Sequence, residues 1–401
     1  MGWIVGSHKK LEEYKEEVWH CLRCNWCKIG FGWTVKSQKY HWNCPSFTRY
    51  RYDAYSAQGR MHIALALIEG MMDWKDSEKL LDIIYACDTC GACAINCIRI
   101  MENNPLEVIE ALRAKAVELG IGPMPAHKKF AENVKSTYNV YGEPHVYRLK
   151  WMTEDIKPTS KADVALFMGC TPSYRRPEIA SATAKVLTTL HINFTVLPDE
   201  WCCGSPLFRT GQLELAKEMA IHNAKMIKAL GIKKVIFNCA GCFKCFYVDY
   251  PKFVDGLDFE ILHIEEFIAD LYEKGKIKFK SLPPETVTFH DPCHMGRYLG
   301  VYEPPRIILD AIKGLKLIEM ERIKDQAWCC GGGGGVRAAF PDLSLWTAEQ
   351  RVQEAKDTGA NTLVSSCPFC ANNLEWAIKE MKANIKYQDI IQIIERAIVG
   401  C

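Results

Sequence analysis

Twenty cysteines stand in this chain of 401 residues, and they are not scattered. Eight fall between Cys21 and Cys97, and twelve between Cys170 and Cys401. In the first group, Cys21-x-x-Cys24-x-x-Cys27 and Cys87-x-x-Cys90-x-x-Cys93-x3-Cys97 space their thiols two residues apart, and Cys44 stands between the runs. In the second group one pattern occurs twice: a cysteine ending an apolar run, an adjacent pair, and a C-x-x-C. It reads Cys170, Cys202-Cys203 and Cys239-x-x-Cys242, then Cys293, Cys329-Cys330 and Cys367-x-x-Cys370. Thiolates are soft ligands, so such sets point to zinc or iron–sulfur chemistry in a reducing compartment, where disulfides are disfavoured.

The triplets favour iron and sulfide. Three thiolates at this spacing wrap one face of a cubane, and in two-cluster ferredoxins the fourth ligand comes from the other run. On that rule Cys21, Cys24, Cys27 and Cys97 hold one [4Fe–4S] cluster, and Cys87, Cys90, Cys93 and Cys44 hold a second. Cys44-Pro45 has the usual proline, but sixteen residues separate it from Cys27, and Cys97 precedes Ile98 rather than proline. A four-cysteine zinc site also uses C-x-x-C pairs, but rarely triplets at this spacing. In the later group, five thiols exceed what one tetrahedral zinc needs, and adjacent side chains diverge from the backbone. Five thiolates suit a more open iron–sulfur assembly.

Periodicity supplies the elements that position these ligands. Up to residue 155 the chain reads as mainly α. Apolar residues keep helical spacing over 61–74, and again from Leu106 to Leu119 behind Asn104-Pro105. Turn residues at 120–125 and 142–144 mark a connecting region. Beyond it, expected strands at 164–168, 194–197, 234–237 and 259–264 alternate with helices. The order repeats at 287–290, 315–320, 362–365 and 385–388, an α/β pattern with parallel strands. The cysteine motifs recur at offsets of 123, 127 and 128 residues, so this half is a tandem repeat. The expected division is 1–155, 156–282 and 283–401.

Composition narrows the class. Hydrophobic residues make up 48% and charged residues 24%, which describes a folded protein. Fifty Lys and Arg against 48 Asp and Glu leave no bulk field for nucleic acid. No stretch approaches the ~18 apolar residues of a membrane span, and the first residues lack an export signal, so a cytoplasmic protein is expected. The first sixty residues hold ten basic against five acidic side chains, which reads as a solvated face or a docking surface.

The spacings Cys-x31-Cys-Cys-x35-Cys-x-x-Cys and Cys-x35-Cys-Cys-x36-Cys-x-x-Cys resemble the tandem cysteine-rich CCG domains of heterodisulfide reductase. So do Asp291-Pro292-Cys293-His294, Cys329-Cys330-Gly331 and Cys367-Pro368-Phe369-Cys370. A two-cluster ferredoxin module ahead of both lobes is similar to the D subunit of that enzyme, or to its C and B subunits joined. Glycolate oxidase and lactate-utilisation iron–sulfur subunits share parts of the pattern. The aromatic-rich N-terminus resembles the heterodisulfide reductase D-like protein of class II benzoyl-CoA reductase complexes. The resemblance implies two noncubane [4Fe–4S] clusters facing each other. One would use Cys170, Cys202, Cys203, Cys239 and Cys242, and the other Cys293, Cys329, Cys330, Cys367 and Cys370. It implies an electron-transfer subunit of an oxidoreductase complex, with a flavin-containing A-like partner and membrane association only through partners. The alternative it carries is a catalytic subunit that itself reduces a disulfide of small thiol cofactors between the noncubane clusters.

Cys245 extends the first lobe's motif to a third cysteine and competes with Cys242, which alignment with Cys370 favours. Cys401 is left over. The glycines 331–335, among them Gly331, Gly332 and Gly333, lack the spacing of a dinucleotide fingerprint and have no Walker lysine. No flavin or NAD site is expected on this chain, and the glycines are read as close backbone approach to cluster sulfides. His294, beside a ligand, is a candidate proton donor to a product thiolate, or else a hydrogen-bonding neighbour of the cluster together with His290, Asp291 and Arg297. Trp201 and Trp328 precede the paired cysteines and are expected to wall the clusters from water.

Overall fold

The computed structural model describes residues 9–159 and 161–399, so Cys401 lies outside the described residues. Two four-stranded sheets form the later half, and every pairing within them is parallel. The first has the order β2-β1-β3-β4, with β1 Val164–Phe167, β2 Phe194–Val196, β3 Lys234–Phe237 and β4 Glu260–His263. The second repeats it as β7-β6-β8-β9, with β6 Glu285–His290, β7 Leu315–Leu317, β8 Thr362–Ser365 and β9 Lys386–Asp389. The central strands are buried on both faces without alternation, as a parallel sheet covered on both sides requires. All eight expected strands are present. A further pair, β5 Lys278–Phe279 and β10 Ile398–Val399, runs antiparallel between the repeats.

The last helix of each repeat packs on a helix of the other. Helix Ile264–Glu273 of the first packs on Glu303–Ala311 of the second, and Ile390–Ala397 of the second packs on Pro177–Thr189 of the first. Ile390, Ile391, Ile393 and Ile394 are all buried, which gives the last helix an apolar face that its own sheet does not cover alone. Asp389 fixes its start by accepting the Ile391 amide at 3.1 Å.

The N-terminal part is helical among the described residues, apart from an isolated bridge between Ile29 and Trp42. Helix Ala57–Ile68 starts at Ser56, whose hydroxyl accepts the Gly59 amide at 3.1 Å, and it stops six residues before the expected end. The apolar pattern beyond it continues into a turn that leaves Met71 exposed. Helix Pro105–Glu118 begins where Asn104 and Pro105 direct it. The expected connecting region also contains a helix, Pro125–Thr137, anchored by buried His127 and Val134.

This helical part is clamped onto the repeats. The sixteen residues between Cys27 and Cys44 lie across the second repeat: the Phe31 amide donates to Gln326, the Ser37 amide to Glu321, and Arg322 to the Trp42 carbonyl. The strongest tie is Arg113. Fully buried, it donates to the carbonyls of Ile84, Tyr85 and Cys87 in its own part, of Arg209 in the first repeat, and of Gly334 in the second. Gly334 sits at φ +59°, and a Cβ there would strike the Cys87 carbonyl, so only glycine lets the two backbones meet.

Replacing Arg113 with Met strands several buried carbonyls at once. Denaturant unfolding of that variant should show a loss of about 3 kcal/mol or more. Arg113→Lys should not restore it, because one ammonium cannot span five carbonyl groups.

Candidate metal centre

The thiols of the first group line two adjoining cavities. Cys21, Cys24, Cys27 and Cys97 face one, walled also by Trp26, Met61 and Ile100. Cys44, Cys87, Cys90 and Cys93 face the other, beside Arg60, Asp88 and Ile109. Helix Ala92–Met101 sends Cys93 to one cavity and Cys97 to the other, and Ala57 lies in the wall of both. Cys44 reaches its cavity because helix Pro45–Tyr50 begins on it, with the proline in the first turn. Burial pushes the thiols of Cys27 and Cys97 up to about 12 and that of Cys44 up to about 11. Below those values they are protonated, so a metal bound there displaces protons and is held more weakly as pH falls.

The later thiols meet in the same order in both repeats. Cys170 contacts Cys202, Cys202 contacts Cys203, Cys203 contacts Cys242, and Cys242 contacts Cys239. In the second repeat the order is Cys293, Cys329, Cys330, Cys370 and Cys367. Two further contacts join the sets. Cys239 meets Cys367 between the repeats, and Cys329 meets Cys90 of the helical part. The Cys90 thiol is held low first by its hydrogen bond from Cys329 and then by the Arg297 guanidinium, while burial opposes both. Gly169, at φ +79°, lets Cys242 approach: a Cβ there would lie 2.8 Å from its sulfur.

Cys245 is fully buried, and its thiol donates to the Cys203 carbonyl at 3.0 Å. It also touches the Cys203 sulfur, but it stands outside the order that both repeats share.

Cations and carboxylates surround these thiols. Arg148 reaches Cys170 at 3.5 Å and is neutralised by Glu200 at 2.6 Å; Glu200 also accepts the amides of Met168 and Gly169. Arg297 donates to the Cys90 carbonyl at 3.1 Å, and Arg306 pairs with Asp291. Asp88 is buried beside Cys90 and Cys330, neither of its oxygens has a partner, and burial raises its carboxyl well above the usual range. Sequence reasoning misses Arg148 and Glu200, which lie outside the cysteine motifs, and Asp88, which fills an unspecified position between Cys87 and Cys90.

The other expected site residues divide. Gly332 lies against Cys330, with 3.6 Å from a Cβ position to its sulfur, but Gly333 and Gly334 face the Cys87–Asp88 backbone and Gly331 packs on Ser344 and Thr347. The glycine turn therefore serves mainly to dock the second repeat on the helical part. Trp328 is buried behind its cysteine pair, with its indole N–H donated to the Thr347 carbonyl. Trp201 instead lies half-buried in a stack between Tyr138 and His222. His294 sits between the repeats against Gly241, with Nε2 buried and unpartnered. It does not titrate near neutrality as expected: burial, then Lys244 and Arg209, push it down to about 3. At neutral pH it offers a neutral N–H, not an imidazolium proton.

The repeated cysteine-rich half matches a known family. The cysteine-rich domain family CCG matches residues 164–246 and 287–375. The chain is 45% identical over 326 residues to the D subunit of the dihydromethanophenazine:CoB–CoM heterodisulfide reductase of Methanosarcina acetivorans, covering 80% of this chain and 79% of that one. This chain belongs to the family of heterodisulfide reductase D subunits. It is 33% identical to the B subunit of the fumarate reductase (CoM/CoB) of Methanothermobacter marburgensis, over 78% of this chain and 61% of that one. At 28% identity it matches the EtfAB:quinone oxidoreductase of Syntrophomonas wolfei, over 79% of this chain and 46% of that one. Membership of the heterodisulfide reductase D family makes the chain an iron–sulfur oxidoreductase subunit. No helix among the described residues is long and apolar enough to cross a membrane.

Thiol reactivity checks the described geometry. In the metal-free chain at pH 8, iodoacetamide should label exposed Cys24 first, and Cys27, Cys44 and Cys97 far more slowly, as read by peptide mass spectrometry.

Proposed function

We propose that this chain is an electron-transfer subunit of a heterodisulfide reductase-like complex, carrying four [4Fe–4S] clusters. Cys21, Cys24, Cys27 and Cys97 would hold one cubane, and Cys44, Cys87, Cys90 and Cys93 the other. Cys293, Cys329, Cys330, Cys367 and Cys370 would hold one noncubane cluster, and Cys170, Cys202, Cys203, Cys239 and Cys242 its counterpart. Such groups supply one-electron carriers when bound. The domains follow as 1–155, 156–282 and 283–401, the first being ferredoxin-like.

One observation carries this reading: the thiol contacts run unbroken from Cys90 through Cys329, Cys330, Cys370, Cys367, Cys239, Cys242, Cys203 and Cys202 to Cys170. The donor sets fit the groups, because each cavity of the helical part gathers four thiols. The protein's own side chains hold these thiols and offset their charge. Arg297 faces Cys90, Cys293 and Cys329, and Arg148 faces Cys170. Cys24, the exposed thiol among the described cysteines, lies beside Leu22, which is 70% exposed. That end is where a partner would dock, a flavin-containing A-like protein being the one the family resemblance suggests. A cytoplasmic location, with membrane contact only through partners, fits this arrangement.

A second reading has a specific observation in its favour. Cys239 and Cys367 meet between the repeats with His294 beside them, a place where a disulfide of small thiols could be reduced by two electrons and two protons. Disulfide turnover by the isolated holo subunit with an artificial reductant would favour it over simple relay.

Cys90→Ala tests the main reading. Anaerobic EPR of the reduced holo variant should lose one cubane signal and retain the noncubane pair. Loss of both kinds of signal from a folded chain would contradict the separate ligand sets.

A further inference from the structure

The two repeats differ at one buried position. In β1, Phe167 pairs with Phe237 and stands three residues before Cys170. In β6, His290 pairs with Ser365 and stands three residues before Cys293. The repeat thus puts an imidazole where its counterpart has a phenyl ring.

The state of that imidazole is fixed by its neighbours. Arg351 Nε donates to His290 Nδ1 at 3.0 Å, and a guanidinium has no acceptor, so Nδ1 is unprotonated and the ring proton is on Nε2. Arg351 is itself held by the Glu354 carboxylate at 2.8 Å and the Arg322 carbonyl at 2.9 Å. Arg322 pairs with the same carboxylate at 2.9 Å. His290, Arg351 and Glu354 are all essentially inaccessible to water. Nε2 has no hydrogen-bond partner among the described residues. A ring nitrogen of His290 and the sulfurs of Cys330 and Cys370 lie within 4.8 Å of one another.

We propose that His290 is a positioning residue that donates its Nε2–H to the Cys330 thiolate and thereby raises the reduction potential of the second repeat's cluster. The proposal rests on the cluster assignment above. An N–H aimed at a ligand sulfur stabilises the extra negative charge of the reduced state, and the effect is strengthened in a dry interior. The first repeat has no such donor at Phe167. Its contact comes from outside the sheet, from Arg148 to Cys170, and carries its own neutralising carboxylate. The repeats therefore share a ligand pattern but are tuned through different sulfurs.

Anaerobic redox titration of the full holo chain, followed by EPR, tests this with His290→Phe and His290→Gln. His290→Phe, which copies the first repeat, should shift one noncubane signal to lower potential by about tenfold in its one-electron equilibrium, about 59 mV. The other noncubane signal should stay in place. His290→Gln, whose amide N–H reaches toward the same sulfur, should recover part of the shift. An unchanged potential in His290→Phe overturns the proposal. So does loss of that cluster's iron from both variants, which would make His290 a ligand or a structural support. A wild-type chain with neither noncubane signal instead removes the cluster assignment itself, and the proposal with it.

Discussion

The contact on which this molecule depends is the packing of the glycine turn at 331–335 against the Cys87–Asp88 backbone. It is a backbone-to-backbone contact, so it tolerates no side chain at Gly334, and it leaves carbonyls from three parts of the chain facing one another. Arg113 resolves that problem by donating to all of them. A buried guanidinium is costly to desolvate, and this one is retained where its fork of donors satisfies carbonyls that would otherwise be orphaned. With that contact in place, Cys90 reaches Cys329. Without it, the helical part would hold its thiols away from both repeats.

The second constraint is the packing of each repeat's last helix on a helix of the other repeat. Those two seams hold the repeats together, and Cys239 meets Cys367 between them. The symmetry is broken by what lies outside. The helical part touches the second repeat through Arg297, Tyr298, Gln326 and Arg322, and this places the second thiol set between the helical part and the first set.

Much of this is legible in the sequence, and the reasons are local. The eight main strands alternate with helical stretches along the sequence, and the cysteine offsets expose the repeat. The expected grouping of Cys97 with the first run, and of Cys44 with the second, uses the ferredoxin rule that the fourth ligand comes from the other run, and those thiols line the two cavities. The two-residue strands β5 and β10 are too short to carry an alternation, so no pattern marks them. Arg113 and Arg148 read as ordinary surface arginines because their partners are distant in sequence; Arg113 reaches a carbonyl 221 residues away. The sixteen-residue insertion before Cys44 reads as a departure from a motif, and its use as a strap over the second repeat requires the fold. His294 differs from expectation because the fold buries it and brings Lys244 and Arg209 of the other repeat near it.

Eighteen thiols in four ligand sets, each for a [4Fe–4S] cluster, are the core of the proposed function. The most direct measurement is iron and acid-labile sulfide per chain in anaerobically purified protein. Four clusters predict about sixteen of each. About half that amount, or zinc in place of iron, would contradict the four-cluster assignment.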